Sequence, residues 1–293
     1  MADPSRGPTI DGAAAPRARA GRFASADLIP RTGAAIVLGI AALGAAWAGG
    51  YWFSAFWLIA AIIVHWEWQN LIGGPNHELR VLFGSAGLLV AAPLATNDAV
   101  FWAIVALLAA ALGASLTSGI KPPIRLLPGA GVLYAGAMLV SVCLLRASWP
   151  YGLYAIMWLF ALVWGADVMA YFGGRLIGGP KLWPRVSPAK TWSGFCVGVL
   201  CGAAAGLAAA PAGGRTLMLF AFGLAAGAVA QGGDLFESFL KRRFGVKDSG
   251  HLIPGHGGLM DRLDGFIAAS VFVALASAAR YGILDIAAGI FQW

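Results

Sequence analysis

Two aspartates bracket the segment of the chain that is best suited to chemistry. Asp234 ends one long apolar run and Asp261 begins the next, and the stretch between them is dense in glycine, proline and basic residues. A helix–loop–helix hairpin would bring both carboxylates to the same depth, where they could share a divalent cation. Ligand sets made only of oxygen atoms favour Mg²⁺, and a metal so placed bridges phosphate oxygens and offsets charge on a leaving group. The pattern predicts metal-dependent phosphate chemistry, with Asp234 and Asp261 as the metal ligands.

The basic residues of the same segment are candidates for phosphate contacts. Arginine binds anionic oxygens through a planar fork and lysine as a point charge, and the loop glycines allow backbone N–H groups to approach phosphate closely. Asp264 follows Asp261 as a supporting partner of the metal site. The alternative is a salt-bridged turn that only anchors two helices at the interface, but so many acids and bases in one glycine-rich loop favour the functional interpretation. The basic candidates are Lys241, Arg242, Lys247 and Arg262.

The elements that position these residues are predicted to be membrane helices. Of the 293 residues, 59% are hydrophobic and only 11% are charged, whereas a soluble domain carries about 25% charged residues. Several apolar stretches approach the length of about 20 residues that spans the hydrocarbon. They lie near 33–50, 51–66, 79–96, 98–115, 128–146, 152–174, 192–212, 215–236 and 259–280, with a partial pass over 282–293. We predict an all-α polytopic membrane protein with about nine transmembrane helices.

The distribution of basic residues predicts which side of the membrane holds the site. Cytoplasmic loops carry an excess of Lys and Arg. If the N-terminus is cytoplasmic and nine spans follow, most of the 20 Lys and Arg residues lie on the cytoplasmic side. The site then faces the cytosol at the membrane interface. The net charge of +7 fits this topology and binding to anionic lipid or phosphate, and interleaved spans leave no basic face for nucleic acid.

The chain divides into three parts. Residues 1–32 are predicted to be a disordered basic cytosolic tail, residues 33–146 to be N-terminal transmembrane helices, and residues 147–293 to be a catalytic transmembrane region with cytosolic loops at 173–191 and 237–258. The few polar residues of the N-terminal part, among them His65 and Glu67, are interpreted as interface residues near the ends of spans.

Two stretches of the C-terminal part resemble the signature of one enzyme family. The first contains Ser-Phe-Leu-Lys-Arg at 238–242, Lys-Asp-Ser-Gly at 247–250 and Pro-Gly-His-Gly-Gly-Leu-Met-Asp-Arg-Leu-Asp at 254–264. The second contains Asp167, Ala-Tyr-Phe-Gly-Gly-Arg at 170–175, Lys-Leu-Trp-Pro at 181–184 and Ser-Pro-Ala-Lys-Thr-Trp at 187–192. Together they resemble the phosphatidate cytidylyltransferases (CDP-diacylglycerol synthases). The chain departs from that pattern at Val168 and Ser193.

The resemblance implies transfer of CMP from CTP to phosphatidic acid, which gives CDP-diacylglycerol and pyrophosphate. It also implies dependence on Mg²⁺, with room for a monovalent cation such as K⁺, a homodimer, and a location in a bacterial inner (cytoplasmic) membrane among membrane lipids. Asp234, Asp261, Lys241, Arg262 and Asp264 would be catalytic. Substrate would be bound by Ser187, Lys190, Thr191, Arg242, Lys247, Asp248, His256 and Asp167.

Two of these assignments keep an alternative. Asp167 either accepts a hydrogen bond from the cytosine amine, orients a cation, or has a structural role at a helix end. His256 either contacts phosphate or fixes the loop.

Three other functions compete with this interpretation. A transporter or channel also has polytopic spans with buried acids, but here the charges concentrate in loops. A CDP-alcohol phosphotransferase motif is half matched from Asp264 to Ala268, but Ala269 stands where that motif needs arginine. A relative that acts on another lipid phosphate remains open, because apolar helices carry no readable motif for acyl selection.

Overall fold

A computed structural model describes residues 25–122, 124–214, 216–252 and 257–293. The chain is helical almost throughout these ranges, with one short β-hairpin. The helices are α1 (Ser25–Ala48), α2 (Gly50–Ile72), α3 (His77–Thr96), α4 (Val100–Thr117), α5 (Leu127–Ala147), α6 (Gly152–Leu176), α7 (Trp192–Ala209), α8 (Leu217–Arg243), α9 (Met260–Tyr281) and α10 (Ala288–Phe291). The strands are β1 (Lys181–Trp183) and β2 (Ser187–Thr191), and a 3-10 turn covers Ala212–Gly214.

The predicted all-α membrane fold is confirmed. In the described part of the chain, 8 helices, α2 to α9, are long and apolar enough to cross a membrane. The first predicted span corresponds to α1, in which Gly33–Ala48 form an apolar helical segment. The partial pass predicted over 282–293 contains only the single-turn helix α10.

Two predicted boundaries differ from the structure. α1 begins at Ser25, so residues 25–32 of the predicted tail are helical; residues 1–24 lie outside the described residues. α8 continues to Arg243, past the predicted start of a loop at 237, and Lys241, Arg242 and Arg243 occupy its last turn. Basic side chains there favour the helix because they face the negative end of its dipole.

Close helix packing sets the position of α6 and of the hairpin. On α7, Gly194, Gly198 and Gly202 recur every fourth residue, and a Cβ at each would lie 2.7 Å from a backbone oxygen of α6. Such stripes of small residues let helices in lipid approach closely. α7 therefore holds α6, which carries Asp167, against the end of β2.

A second close contact joins α8 to α9. A Cβ at Gly233 would lie 2.6 Å from the backbone oxygen of Asp264, so only glycine fits there without displacement of one helix. The approach places Asp234, the next residue of α8, beside Asp264 of α9.

The two halves of the chain share one apolar core. The Trp57 ring of α2 stacks on the Phe266 ring of α9, with centroids 4.8 Å apart and planes at 8°. Phe160 of α6 packs against both rings. Offset aromatic packing of this kind adds to the free energy gained by burial alone, and here it fixes α2 against the helices that carry the charged residues.

Candidate active site

A cavity of about 1240 Å³ opens between the apolar helices and the two charged segments. One wall is apolar and comes from α1, α2 and α6, with Leu38, Phe56, Ile59 and Trp164 among its residues. The other wall carries charge from α6, the hairpin, α8, the α8–α9 loop and α9. Its charged residues are Asp167, Arg175, Lys181, Lys190, Asp234, Lys241, Asp248, Asp261, Arg262 and Asp264.

Three aspartates from three helices form an acidic cluster in this cavity: Asp167 of α6, Asp234 of α8 and Asp264 of α9. Asp264 interacts electrostatically with the other two, and Asp167 with Asp234. The ammonium group of Lys190, at the end of β2, forms an ion pair with Asp234. The Asp264 carboxylate accepts a hydrogen bond from the backbone N–H of Gly265 at 2.7 Å.

The acidic cluster has more acceptor atoms than donors. Gln231 Nε2 donates to Asp167 Oδ1 at 3.3 Å, and the Ser238 hydroxyl lies 3.4 Å from Asp234 Oδ1. A carboxylate offers about four acceptor positions, so these hydrogen bonds and the ion pair occupy only part of those of the three aspartates, all of which line the cavity. This arrangement suits a cation.

Asp261 has the opposite environment. Its Oδ1 accepts from Lys241 Nζ at 2.5 Å, and its Oδ2 accepts from the Ser249 backbone N–H at 2.9 Å, the Ser249 hydroxyl at 3.0 Å and the Gly258 N–H at 2.8 Å. Lys241 Nζ also lies 3.1 Å from Glu237 Oε1, and the Glu237 side chain is 1% exposed. Asp261 is therefore held by donors from α8 and from the loop that precedes its own helix.

The two predicted metal ligands differ accordingly in what they offer a metal. Asp234 and Asp261 line the same cavity, but Asp261 Oδ2 already accepts three hydrogen bonds. Across the described ranges, no three His, Cys, Asp or Glu side chains are arranged as a ready metal-binding group. Mg²⁺ needs few protein ligands, because it is commonly held by one or two carboxylates together with substrate phosphates and water. Asp234, with Asp264 or Asp167, fits that requirement.

The hairpin positions the second predicted segment. β1 and β2 pair antiparallel, with Lys181 opposite Thr191 and Trp183 opposite Ser187. The Thr191 hydroxyl accepts from the Gly194 N–H at 3.1 Å and so caps the N-terminus of α7. Ser193, one of the departures from the family pattern, is hydrogen-bonded to Thr191 at 3.0 Å and donates to the Gly178 carbonyl. Thr191 and Ser193 thus stabilise the start of α7. Lys190, the residue before Thr191 in β2, forms the ion pair with Asp234.

The remaining predicted substrate-binding residues are distributed unevenly. Lys190, Thr191, Asp248 and Asp167 line the cavity, whereas Ser187, Arg242 and Lys247 do not. Arg242 is exposed and donates to the backbone carbonyl of Val246 at 3.1 Å. His256 lies outside the described residues.

The contacts of Glu67 were not expected from the sequence. This residue of α2 is fully buried, and its oxygens accept from the Ser249 hydroxyl at 3.1 Å, the Leu259 N–H at 2.8 Å and the Met260 N–H at 2.7 Å. The available signal was a lone acid inside an apolar run, a type of residue that usually has a specific partner.

Comparisons with known proteins show the family of the chain. The model of the cytidylyltransferase family matches residues 29–279. A phosphatidate cytidylyltransferase of Brucella abortus biovar 1 is 40% identical over 249 residues, which cover 83% of this chain and 91% of that protein. A phosphatidate cytidylyltransferase of Rickettsia felis is 44% identical over 124 residues, 38% of this chain and 53% of that protein. The chain belongs to the cytidylyltransferase family.

Proposed function

We propose that this membrane protein is a phosphatidate cytidylyltransferase, which transfers CMP from CTP to phosphatidic acid and releases CDP-diacylglycerol and pyrophosphate. The observation that carries the proposal is the cavity, which joins an apolar wall of three helices to a wall of acids and bases. CTP is soluble and highly charged, whereas phosphatidic acid cannot leave the bilayer. A cavity with both surfaces serves both substrates, and the relatives at 40% identity carry the same activity in their names.

The reaction needs little proton transfer. An oxygen of the phosphatidate phosphate attacks the α-phosphorus of CTP, a new P–O bond forms, and the bond from the α-phosphorus to the bridging oxygen breaks to release pyrophosphate. The second pKa of a phosphomonoester is about 6, so the attacking group is mostly dianionic at neutral pH without a general base. Repulsion between the anions is the main barrier, and Lys190, Lys241 and Arg262 line the cavity where they would oppose it.

Mg²⁺ is proposed as the cofactor, and a monovalent cation such as K⁺ as an option beside it. Asp234 would hold the metal together with Asp264 or Asp167, and Asp261 Oδ1, which accepts from Lys241, would take part only if Lys241 moved aside. When bound, the metal would neutralise phosphate charge. Lys190 pairs with Asp234 and lines the cavity, where its charge would attract the nucleotide phosphates.

The distribution of Lys and Arg supports a cytosolic N-terminus and active site. The homodimer and the location in a bacterial inner membrane rest on the family resemblance.

The test is CTP-dependent formation of CDP-lipid and pyrophosphate by the purified full chain in detergent, with phosphatidic acid and Mg²⁺. We expect turnover that EDTA abolishes and that Mg²⁺ restores. A folded protein that releases no pyrophosphate with phosphatidic acids of several acyl compositions would overturn the proposal. Turnover with a different lipid phosphate in the same assay would replace phosphatidic acid as the acceptor.

A further inference from the structure

A carboxylate of the N-terminal half reaches into the charged wall of the cavity. Glu67 lies on α2 and is fully buried. Its partners are two backbone N–H groups and one hydroxyl, and all three belong to the segment that leads into Asp261. We propose that Glu67 is a positioning residue, which holds the start of α9 and, through Ser249, fixes Asp261 at the cavity.

Glu67 first acts as a cap for α9. The N–H groups of a helix's first turn have no partner within the helix, and Leu259, the N-cap residue of α9, makes no side-chain capping bond. Glu67 Oε1 accepts from the Leu259 N–H and Oε2 from the Met260 N–H. A negative charge at this end of a helix is also favoured by the helix dipole. A helix cap usually comes from a residue close in sequence to the start of the helix, but the capping group of α9 belongs to α2.

Glu67 is then linked to Asp261 by one hydroxyl group. Ser249 Oγ lies 3.1 Å from Glu67 Oε2 and 3.0 Å from Asp261 Oδ2. A serine hydroxyl has one proton to donate, so the two carboxylates share it. Displacement of Glu67 would therefore change both the orientation of Ser249 and the set of donors that holds Asp261.

Two glycines leave room for this contact. A Cβ at Gly258 would lie 2.0 Å from Ser249 Oγ and 2.6 Å from Glu67 Oε2, and a Cβ at Gly250 would lie 3.0 Å from Glu67 Oε1. The loop thus closes around the carboxylate. Packing against an apolar side chain would not require this space. A carboxylate that accepts hydrogen bonds from backbone N–H groups does require it, because the backbone must come within hydrogen-bond distance.

Glu67→Gln tests the proposal because it keeps the shape and removes one acceptor. The new amide group would face an N–H donor of the helix or the Ser249 hydroxyl. Gln69→Leu is the matched control, since Gln69 is also fully buried on α2 but donates to the Pro128 carbonyl on α5, away from the loop. Both variants of the full chain are purified in detergent, and thermal stability, kcat, KM for CTP and amide hydrogen exchange are measured.

The kinetic readout rests on the proposed function. For Glu67→Gln we expect kcat to fall about 100-fold, as a displacement of about 1 Å at a reacting centre can cost, with KM for CTP changed by less than about threefold. Amides at 257–263 should exchange about tenfold faster, while exchange in α3 and α4 stays unchanged. Gln69→Leu should show neither effect.

Wild-type kcat and wild-type exchange at 257–263 in folded Glu67→Gln would overturn the proposal. It would equally fail if Glu67→Gln and Gln69→Leu lowered stability and kcat alike, with faster exchange in all helices, because that is a general structural effect. If the wild type does not turn over, the proposed function fails, and hydrogen exchange alone decides whether Glu67 holds this segment. If Glu67→Gln does not fold, Ser249→Ala decides: a tenfold lower kcat at normal stability supports the link, and an unchanged kcat overturns it.

Discussion

The acidic cluster of Asp167, Asp234 and Asp264 and the network around Asp261 lie in one cavity but differ in how their charges are met. In the acidic cluster, Asp234 forms an ion pair with Lys190, Asp264 accepts one hydrogen bond of 2.7 Å from a backbone N–H, and two longer hydrogen bonds reach the other carboxylates. Asp261 instead accepts four donors within 3.0 Å, and Lys241 lies between it and Glu237.

This difference separates two tasks that aspartate can perform. Carboxylates with open acceptor positions gain most from a cation that arrives with substrate, whereas a carboxylate that is already filled with donors organises the chain around it. A buried acid of the second kind is costly to lose, because its donors are left unpaired. We therefore propose that the acidic cluster mainly binds ligand and that Asp261 mainly sets the shape of the site.

The largest effect is expected for substitution of the two aspartates. Asp234→Asn should lower kcat by about 1000-fold or more, in the range seen when a metal or oxyanion contact is lost, with the melting temperature nearly unchanged. Asp261→Asn should lower kcat and also cost about 1–3 kcal/mol of stability. Turnover and thermal unfolding of both variants check this, with the exposed Glu78→Gln as control. Equal melting temperatures for Asp234→Asn and Asp261→Asn would contradict the proposed difference between the two aspartates.

Substitutions of Lys241 and Lys190 should show the same difference between the network around Asp261 and the acidic cluster. Lys241→Met leaves Glu237 and Asp261, 1% and 6% exposed, without their cation, and loss of one partner of a buried pair costs about 3 kcal/mol. Lys190→Met removes only the ion pair with the more open Asp234, so its melting temperature should change little while KM for CTP rises about tenfold. Thermal unfolding and CTP titrations separate the two. A stability loss confined to Lys190→Met would reverse the assignment.

A change in the packing of α6 against α7 should affect the acidic cluster, which contains Asp167 of α6, more than it affects Asp261. A Cβ at Gly202 would lie 2.7 Å from the Leu162 carbonyl, so Gly202→Ala should push α6 from α7 and cost about 1–3 kcal/mol. Because Asp167 lies on α6, metal affinity should weaken, as measured by the Mg²⁺ concentration for half-maximal activity. Gly44→Ala, which meets nothing within 4 Å, is the control. An unchanged Mg²⁺ requirement would show that Asp167 is not part of the metal site.

The smallest expected effect is that of Gln231→Leu. Its amide donates to Asp167 at 3.3 Å, a long bond to a carboxylate that has other neighbours. We expect kcat to fall about threefold, equivalent to about 0.6 kcal/mol, with stability unchanged. A loss above about 30-fold would mean that Gln231 itself contacts substrate.

Much of the fold follows from local sequence. Apolar runs of spanning length predict α2 to α9, since a backbone in lipid must satisfy its hydrogen bonds within the helix. The ends of these helices are less well determined by the sequence. The basic residues before Gly245 suggest a loop because glycine and proline follow them, but the same residues favour a helix C-terminus, and α8 extends to Arg243. The β1–β2 hairpin was not predicted, because three- and five-residue strands have no distinctive period.

The candidate site shows the same limit. The spacing of acids and glycines within 234–264 identified the charged wall, and the upstream motif identified Lys190 and Asp167. The contacts of Glu67 could not be predicted, because its partners Ser249, Leu259 and Met260 are more than 180 positions away in the chain. A single sequence contains no sign of such a distant pairing.

The sequence by itself determined the membrane class, the eight apolar spans of the described chain and the residue types of the site, because hydropathy and charge are local properties. Only the tertiary structure decided which acids remain open and which are filled with donors. That distinction depends on close contacts between helices, such as Gly233 against Asp264 and Gly258 against Glu67. Asp234 and Asp261 are the same residue type at the two ends of one motif, and their neighbours in space give them different surroundings.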